Sequence, residues 1–221
     1  VGVHLGNKQA EEVHTLPLDE VIGREFGFPN CLILEQIYQR ERLFGIPESS
    51  FYLLNGREKM ITKSPIRLQA LSMLDLHQKH TFWDIGFCTG SVSIEAKLQF
   101  PHLQIHAFEC RPEGETLINL NTRKFGTPGI EYHIGDFMEL DLSDLPAPDA
   151  VFIGGHGGKL TEMLQKIDRY LLPGGCIVFN SVSENSLHIF REGIEAIDRR
   201  IDNEISITVD SYNPITIIKA I

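Results

Sequence analysis

From Ser64 onward the apolar positions switch repeatedly between a helical and a strand period, and that alternation predicts βαβ units around a mostly parallel sheet. Ile66, Leu68, Ala70, Leu71, Met73 and Leu74 recur at helical spacing and predict a helix over 66–76. A strand over 80–85 and a glycine-bearing turn over 86–90 follow. Further helices are predicted over 91–99, 112–125, 160–172 and 184–198, with strands over 104–109, 130–134, 149–153 and 176–180 and a closing pair over 205–209 and 215–218. Pro112 near a first turn and Gly126 just past the end punctuate one helix, and Pro173-Gly174-Gly175 stops another. The right-handed crossover rule leaves few topologies for this order.

The first 60 residues do not join the pattern. A helix over 18–26 and a strand over 31–34 are predicted, and such a pair cannot bury a core of its own. Residues 37–59, with Gly45, Pro47, Ser49, Ser50, Asn55 and Gly56, read as a connector. The 221 residues amount to one domain, 60–221, plus a remainder, 1–36. The opening Val1-Gly2-Val3-His4, without Met, suggests a piece excised from a longer polypeptide.

Composition narrows the function classes. With 42% hydrophobic and 23% charged residues the chain is ordinarily globular, so disorder is excluded as the dominant state. Thirty Asp+Glu against twenty Lys+Arg give a net charge of -10, a poor footprint for a protein that wraps phosphate backbones. No run approaches the ~18 apolar residues that would span a bilayer, and a soluble, cytoplasmic protein is expected. Cys31, Cys88, Cys110 and Cys176 lie far apart, outside any metal-ligand spacing, and read as packed thiols.

The chemistry concentrates where the first strand of the repeating pattern ends. In Phe82-Trp83-Asp84-Ile85-Gly86-Phe87-Cys88-Thr89-Gly90 a strand runs into a glycine turn and then a helix. Glycines there let the backbone bend and a ligand lie against it, while the helix start offers N–H groups. A dinucleotide-binding turn calls for Gly-x-Gly-x-x-Gly, whereas the spacing here is Gly-x-x-x-Gly directly after Asp84. That carboxylate repels a pyrophosphate and suits a ligand with cationic amino and sulfonium groups, such as S-adenosyl-L-methionine.

Asp84-Ile85-Gly86-Phe87-Cys88-Thr89-Gly90 resembles motif I of the class I S-adenosylmethionine-dependent methyltransferases, with Cys88 where that family usually has Gly. The resemblance implies a Rossmann-like fold, with a seven-stranded, mostly parallel sheet, helices on both faces and an antiparallel last strand. It implies that Glu109, 25 residues after Asp84, receives the ribose hydroxyls, and that Asp136, with Phe137, lies beside the adenine. Leu172-Pro173-Gly174-Gly175 is similar to the family's late turn.

Two runs are more specific. Gly154-Gly155-His156-Gly157-Gly158 closes the fourth strand, and Met60-Ile61-Thr62-Lys63-Ser64-Pro65-Ile66-Arg67 opens the domain. Together with Ser91-Val92-Ser93-Ile94-Glu95-Ala96 they resemble the decarboxylating precorrin methyltransferases of the cobalamin pathway, the CbiT-type domain. This implies that Thr62 contacts the cofactor and that Gly154, Gly155, Gly157 and Gly158 lie against a large flat tetrapyrrole. His156 is the candidate for substrate positioning or proton handling, and Arg67 and Lys63 for pairing with substrate carboxylates. The resemblance also implies a homo-oligomer, a tetramer as in relatives. Thr15-Leu16-Pro17-Leu18 and Phe28-Pro29-Asn30-Cys31-Leu32-Ile33-Leu34-Glu35 are similar to the end of the CbiE-type tetrapyrrole methylase, in many organisms fused to this domain. The segment 209–215 passes almost directly between the closing strands, where relatives often carry a longer basic stretch. A methyltransferase acting on protein or RNA, and a non-catalytic cofactor-binding module, are the alternatives.

Overall fold

The computed structural model describes residues 1–37, 43–210 and 213–221. It divides into two units, Val1–Glu41 and Arg42–Ile221.

In the first unit β1 (Gly2–Val3) pairs antiparallel with β2 (Glu12–Val13), and Cys31 adds a single bridge to Gly2. The helix expected over 18–26 is only α1 (Leu18–Val21), because Gly23 takes a left-handed φ of 76° directly after it. The strand expected over 31–34 reduces to that one bridge, and Leu32, Ile33 and Leu34 stand exposed.

The second unit contains α2 (Ser64–Met73), β3 (Thr81–Ile85), α3 (Ser91–Gln99), β4 (Gln104–Glu109), α4 (Glu113–Phe125), β5 (Ile130–Ile134), β6 (Ala150–Ile153), α5 (Leu160–Asp168), β7 (Cys176–Ser181), α6 (Glu184–Ala196), β8 (Ile201–Ile207) and β9 (Ile215–Ala220). They build a seven-stranded sheet in the order β5-β4-β3-β6-β7-β9-β8, parallel from β5 to β7, with β9 antiparallel to both its neighbours. This is the Rossmann-like α/β fold expected. The chain winds outward from β3 through β4 and β5, then returns to the other side of β3 with β6. Ligand crevices open at such a reversal, beyond the carboxyl ends of the strands.

Period-two alternation divides each central strand between two cores. Trp83, Ile85, Ile153, Ile177 and Phe179 face one layer, where Leu164 of α5 and Phe190 of α6 cover them. Phe82, Phe152, Val178 and Ile217 face the other, under Ile66 and Leu71 of α2 and Val92 of α3. Pro65 sits in the first turn of α2, where its missing N–H costs nothing, so the helix begins before the predicted 66.

Two boundaries differ from the sequence pattern. Within the stretch expected as a linker, Ile46 and Phe51 are buried and pack with Ile61 and Ile94, so these residues belong to the second unit. The strand expected over 205–209 begins instead at Ile201, because its outer half is a polar, exposed edge with no apolar alternation to reveal it. Ser211 and Tyr212, in the segment 209–215, lie outside the described residues. Among the described residues no helix is long and apolar enough to cross a membrane.

Candidate active site

A cavity of about 530 Å³ opens at the carboxyl ends of β3, β4, β6 and β7. Thr62, Gly86, Phe87, Cys88, Glu109, Asp136, Phe137, Gly154, Gly155, His156 and Gly157 all line it, so residues spread over nearly a hundred positions converge there. Thr89, Gly90, Asp84, Gly158 and Arg67 do not line it.

The floor is made by two glycine loops in contact. Gly86 has a left-handed φ of 79°, and a Cβ on it would sit 2.7 Å from the backbone N of Gly155. A Cβ on Gly155 or Gly157 would meet nothing within 4 Å, so that loop presents bare backbone. Gly90 also has a positive φ and caps α3, where a Cβ would collide with Ile118 Cδ1 at 2.2 Å. Gly90 shapes the turn from behind. Thr89 is buried there too, its carbonyl receiving Asn121 Nδ2 at 2.9 Å.

Asp84 is wholly buried at the start of α3, where its Oδ2 accepts the Ser93 hydroxyl at 2.6 Å and the first-turn Ser93 N–H at 3.1 Å. Its Oδ1 has no hydrogen-bond partner. Burial raises its pKa from 3.8 to about 7; the two Ser93 bonds oppose the rise and the charge of Glu109 adds to it.

Glu109, also buried, is saturated on one oxygen. Oε1 accepts the Arg111 N–H and Nη1 at 3.0 Å each and the Cys110 thiol at 3.3 Å, while Oε2 accepts the Cys88 N–H at 2.9 Å. Cys88 holds a left-handed φ of 50°, and its thiol donates to the Met60 carbonyl at 2.9 Å. Burial and the nearby Glu109 charge push that thiol up to about 11, so it stays protonated. Of the four free cysteines only Cys176 is fully buried; Cys31 and Cys110 are exposed, contrary to the packed thiols expected.

Asp136 is partly exposed and accepts Lys159 Nζ at 2.6 Å and the Met138 N–H at 2.9 Å, which hold its carboxyl below the usual range. Phe137 packs edge-on against Trp83 and Phe108. His156 Nδ1 accepts the Gly158 N–H at 3.2 Å, and its ring meets the Phe179 ring edge-on. Partial burial lowers its pKa, so the ring is neutral at pH 7 and its proton sits on Nε2.

Arg67, expected to meet a substrate carboxylate, is instead fully buried. Its Nε donates to Glu95 Oε2 at 2.5 Å, Nη1 to the Thr62 carbonyl at 2.7 Å, and Nη2 to the Ile46 carbonyl. It fixes the segment that carries Thr62 from behind the cavity wall. Lys63, by contrast, does line the cavity, with Lys59, Arg111 and Lys159.

Asn180 was not anticipated from sequence. It lies at the end of β7, nine-tenths buried, lines the cavity, and its Oδ1 has no hydrogen-bond partner. The available signal was an amide directly after the buried apolar run 176–179.

The family described as Precorrin methyltransferase domain matches residues 54–211. The chain belongs to that family. Among its relatives, a cobalt-precorrin-6B C(15)-methyltransferase (decarboxylating) from Salmonella typhimurium is 39% identical over 135 residues, 61% of this chain and 69% of the relative. A precorrin-6Y C(5,15)-methyltransferase (decarboxylating) from Sinorhizobium sp is 37% identical over 56% of this chain, but that match takes up only 29% of the relative. The crystal structure of a precorrin-6y C5,15-methyltransferase from Geobacter metallireducens GS-15 superposes with a TM-score of 0.74 at 34% identity, covering 82% of this chain and 98% of that one.

Proposed function

We propose that the chain is an S-adenosyl-L-methionine-dependent C-methyltransferase of cobalamin biosynthesis. It methylates a meso carbon of a precorrin or cobalt-precorrin and decarboxylates an acetate side chain. The observation that carries the reading is the pairing of a cofactor-shaped half and an open half within one cavity.

The residues present fit the cofactor. Only glycine can occupy position 86 beside Gly155, and the buried Glu109 carboxylate, held by Cys88 and Arg111, faces the same cavity. Thr62, Gly86, Phe87, Cys88, Glu109, Asp136 and Phe137 would hold it, while Asp84, Thr89 and Gly90 set the turn. S-adenosyl-L-methionine, when bound, supplies an electrophilic methyl group. The protein's own work is proximity and orientation, since the conjugated ring makes the meso carbon nucleophilic enough without a strong base. Gly154, Gly155 and Gly157 give a flat macrocycle close approach. His156, neutral with its proton on Nε2, can donate that N–H to a substrate acceptor and so position it without placing a charge against the ring.

Charge supports a carboxylate-rich substrate. In a chain of net charge -10, this cavity is lined by four cations, Lys59, Lys63, Arg111 and Lys159, and by two carboxylates, Glu109 and Asp136. Arg111 and Lys159 already sit on those two carboxylates and remain partly exposed, at 35% and 51%.

Residues 1–36 are read as the end of a tetrapyrrole methylase domain, fused or associated. Phe28 and Ile33 are 85% and 84% exposed in a unit of one small sheet, which supports that reading. The domain 60–221 is expected to act in the cytoplasm as a tetramer. Calorimetry with S-adenosylhomocysteine, followed by mass spectrometry of a precorrin incubated with enzyme and cofactor, tests the function. Binding plus the gain of one methyl and the loss of carbon dioxide is the expected result. A chain that binds no S-adenosylhomocysteine at millimolar concentration is not this enzyme.

A further inference from the structure

The cavity spans two halves of the sheet. Gly86, Glu109 and Asp136, the residues read as cofactor-binding, stand at the ends of β3, β4 and β5. On the other side of β3 in the strand order, at β6, β7 and β9, the lining includes Gly155, His156, Asn180, Val182 and Ile215, with Lys159 donating across to Asp136. A second reactant in this cavity therefore meets the β6–β7–β9 half. That half is poor in polar side chains. His156 uses Nδ1 on the Gly158 N–H, which leaves the Asn180 carbonyl oxygen as an acceptor with no donor.

A buried acceptor without a donor carries a desolvation cost, and native structures keep few of them. Asn180 Oδ1 is such an atom, in a side chain nine-tenths buried against the open half of the cavity. We propose that Asn180 binds the methyl acceptor, its Oδ1 receiving an N–H of the reduced tetrapyrrole and so fixing the rotation of the ring above the glycine loop. A ring held by several peripheral carboxylates at the rim can still turn or tilt. One inner hydrogen bond from an N–H selects which meso carbon faces the methyl group.

The assignment rests on the proposed function, and the test separates the two. Asn180→Leu is nearly isosteric and removes the acceptor. Its kcat/KM for methyl transfer to a precorrin is expected to fall about tenfold or more, the scale of a hydrogen bond whose loss leaves a ligand donor unpaired. Its affinity for S-adenosylhomocysteine should stay within threefold of wild type, and its melting temperature should be no lower, because an unsatisfied buried acceptor has been removed. Asn180→Asp, which keeps an acceptor oxygen, should recover part of the lost kcat/KM, and Asn180→Ala should reproduce the loss if the leucine variant does not fold. Unchanged kcat/KM in the leucine or alanine variant overturns the proposal. So does a parallel loss of S-adenosylhomocysteine affinity, which would assign Asn180 to the cofactor, or a marked drop in melting temperature, which would make it structural. A wild-type enzyme that binds S-adenosylhomocysteine but leaves precorrins unmethylated overturns the proposed function itself, and with it the tetrapyrrole donor.

Discussion

Two arginine–glutamate pairs in the second unit have nearly the same length and opposite meanings. Arg67 and Glu95 meet at 2.5 Å with both side chains 0% exposed, behind the cavity wall between α2 and α3. Arg191 and Glu204 meet at 2.6 Å with side chains 50% and 34% exposed, between α6 and β8. The buried pair is completed by backbone: Glu95 accepts the Gly45 N–H, and Arg67 reaches the Ile46 and Thr62 carbonyls. Three stretches separated in sequence, 45–46, 62–67 and Glu95, thus share one charge centre. The exposed pair joins two elements that the sheet and α6 already hold, and water competes for both its partners. Distance alone says nothing about either; burial and the remaining hydrogen bonds decide.

The sharpest way to break the contrast is to remove one member of the buried pair. Glu95→Gln or Arg67→Met leaves a charge or a set of donors stranded, and an unfolding free energy lower by about 3–5 kcal/mol is expected from urea denaturation. The double replacement Arg67→Met/Glu95→Leu should be less damaging than either single one, because neither charge is then orphaned. Equal damage from all three would mean that the backbone bonds, not the ion pair, hold the segment.

Asp84 extends the comparison to a buried acid with no cation beside it. Its folded pKa of about 7 lies above the ordinary 3.8, so between those values the folded state keeps a proton that the unfolded chain has lost. Stability from this group therefore falls as pH rises from about 4 to 7 and is level above. Asp84→Asn should lack that slope, and the difference between the two urea curves should change by on the order of 2–4 kcal/mol across the window. Parallel curves would show that the carboxyl is not buried as described.

Glu109 lies between the extremes: buried like Glu95, yet facing a cavity and held by the partly exposed Arg111. Glu109→Ala should weaken S-adenosylhomocysteine binding about tenfold or more, corresponding to a charge-assisted hydrogen bond of ~1.5–3 kcal/mol. An unchanged dissociation constant places the ribose elsewhere. At the small end, Arg191→Ala should move the unfolding free energy by only about 0.5 kcal/mol, since exposed pairs contribute little. A loss comparable to that of the Arg67 variant would erase the distinction between the two regions.

Most of the second unit was legible from the chain alone because its signals are local. Apolar period, Pro in a first turn and Gly after a last one place α3, β4 and β5 at the predicted residues and the other elements within a few. The glycine turn after Asp84 pointed to the cavity for the same reason, since strand, turn and helix are contiguous there, whereas Glu109 was placed by the family resemblance. Partnership was not legible. Arg67 carries a charge on a predicted helix, and nothing within several residues of it foretells that Glu95, 28 positions on, will meet it out of water. Asn121 joins Tyr52 across 69 positions, which anchors a stretch whose composition reads as a connector. Sequence set Asp84 toward a cationic ligand, and the fold put the Ser93 donors on one of its oxygens while leaving the other unpaired. What the sequence by itself determined is therefore the elements and the chemistry available at their ends. Which polar groups are buried, paired or left open to a ligand was decided only by tertiary contact, because desolvation depends on the neighbours that the fold brings from far along the chain.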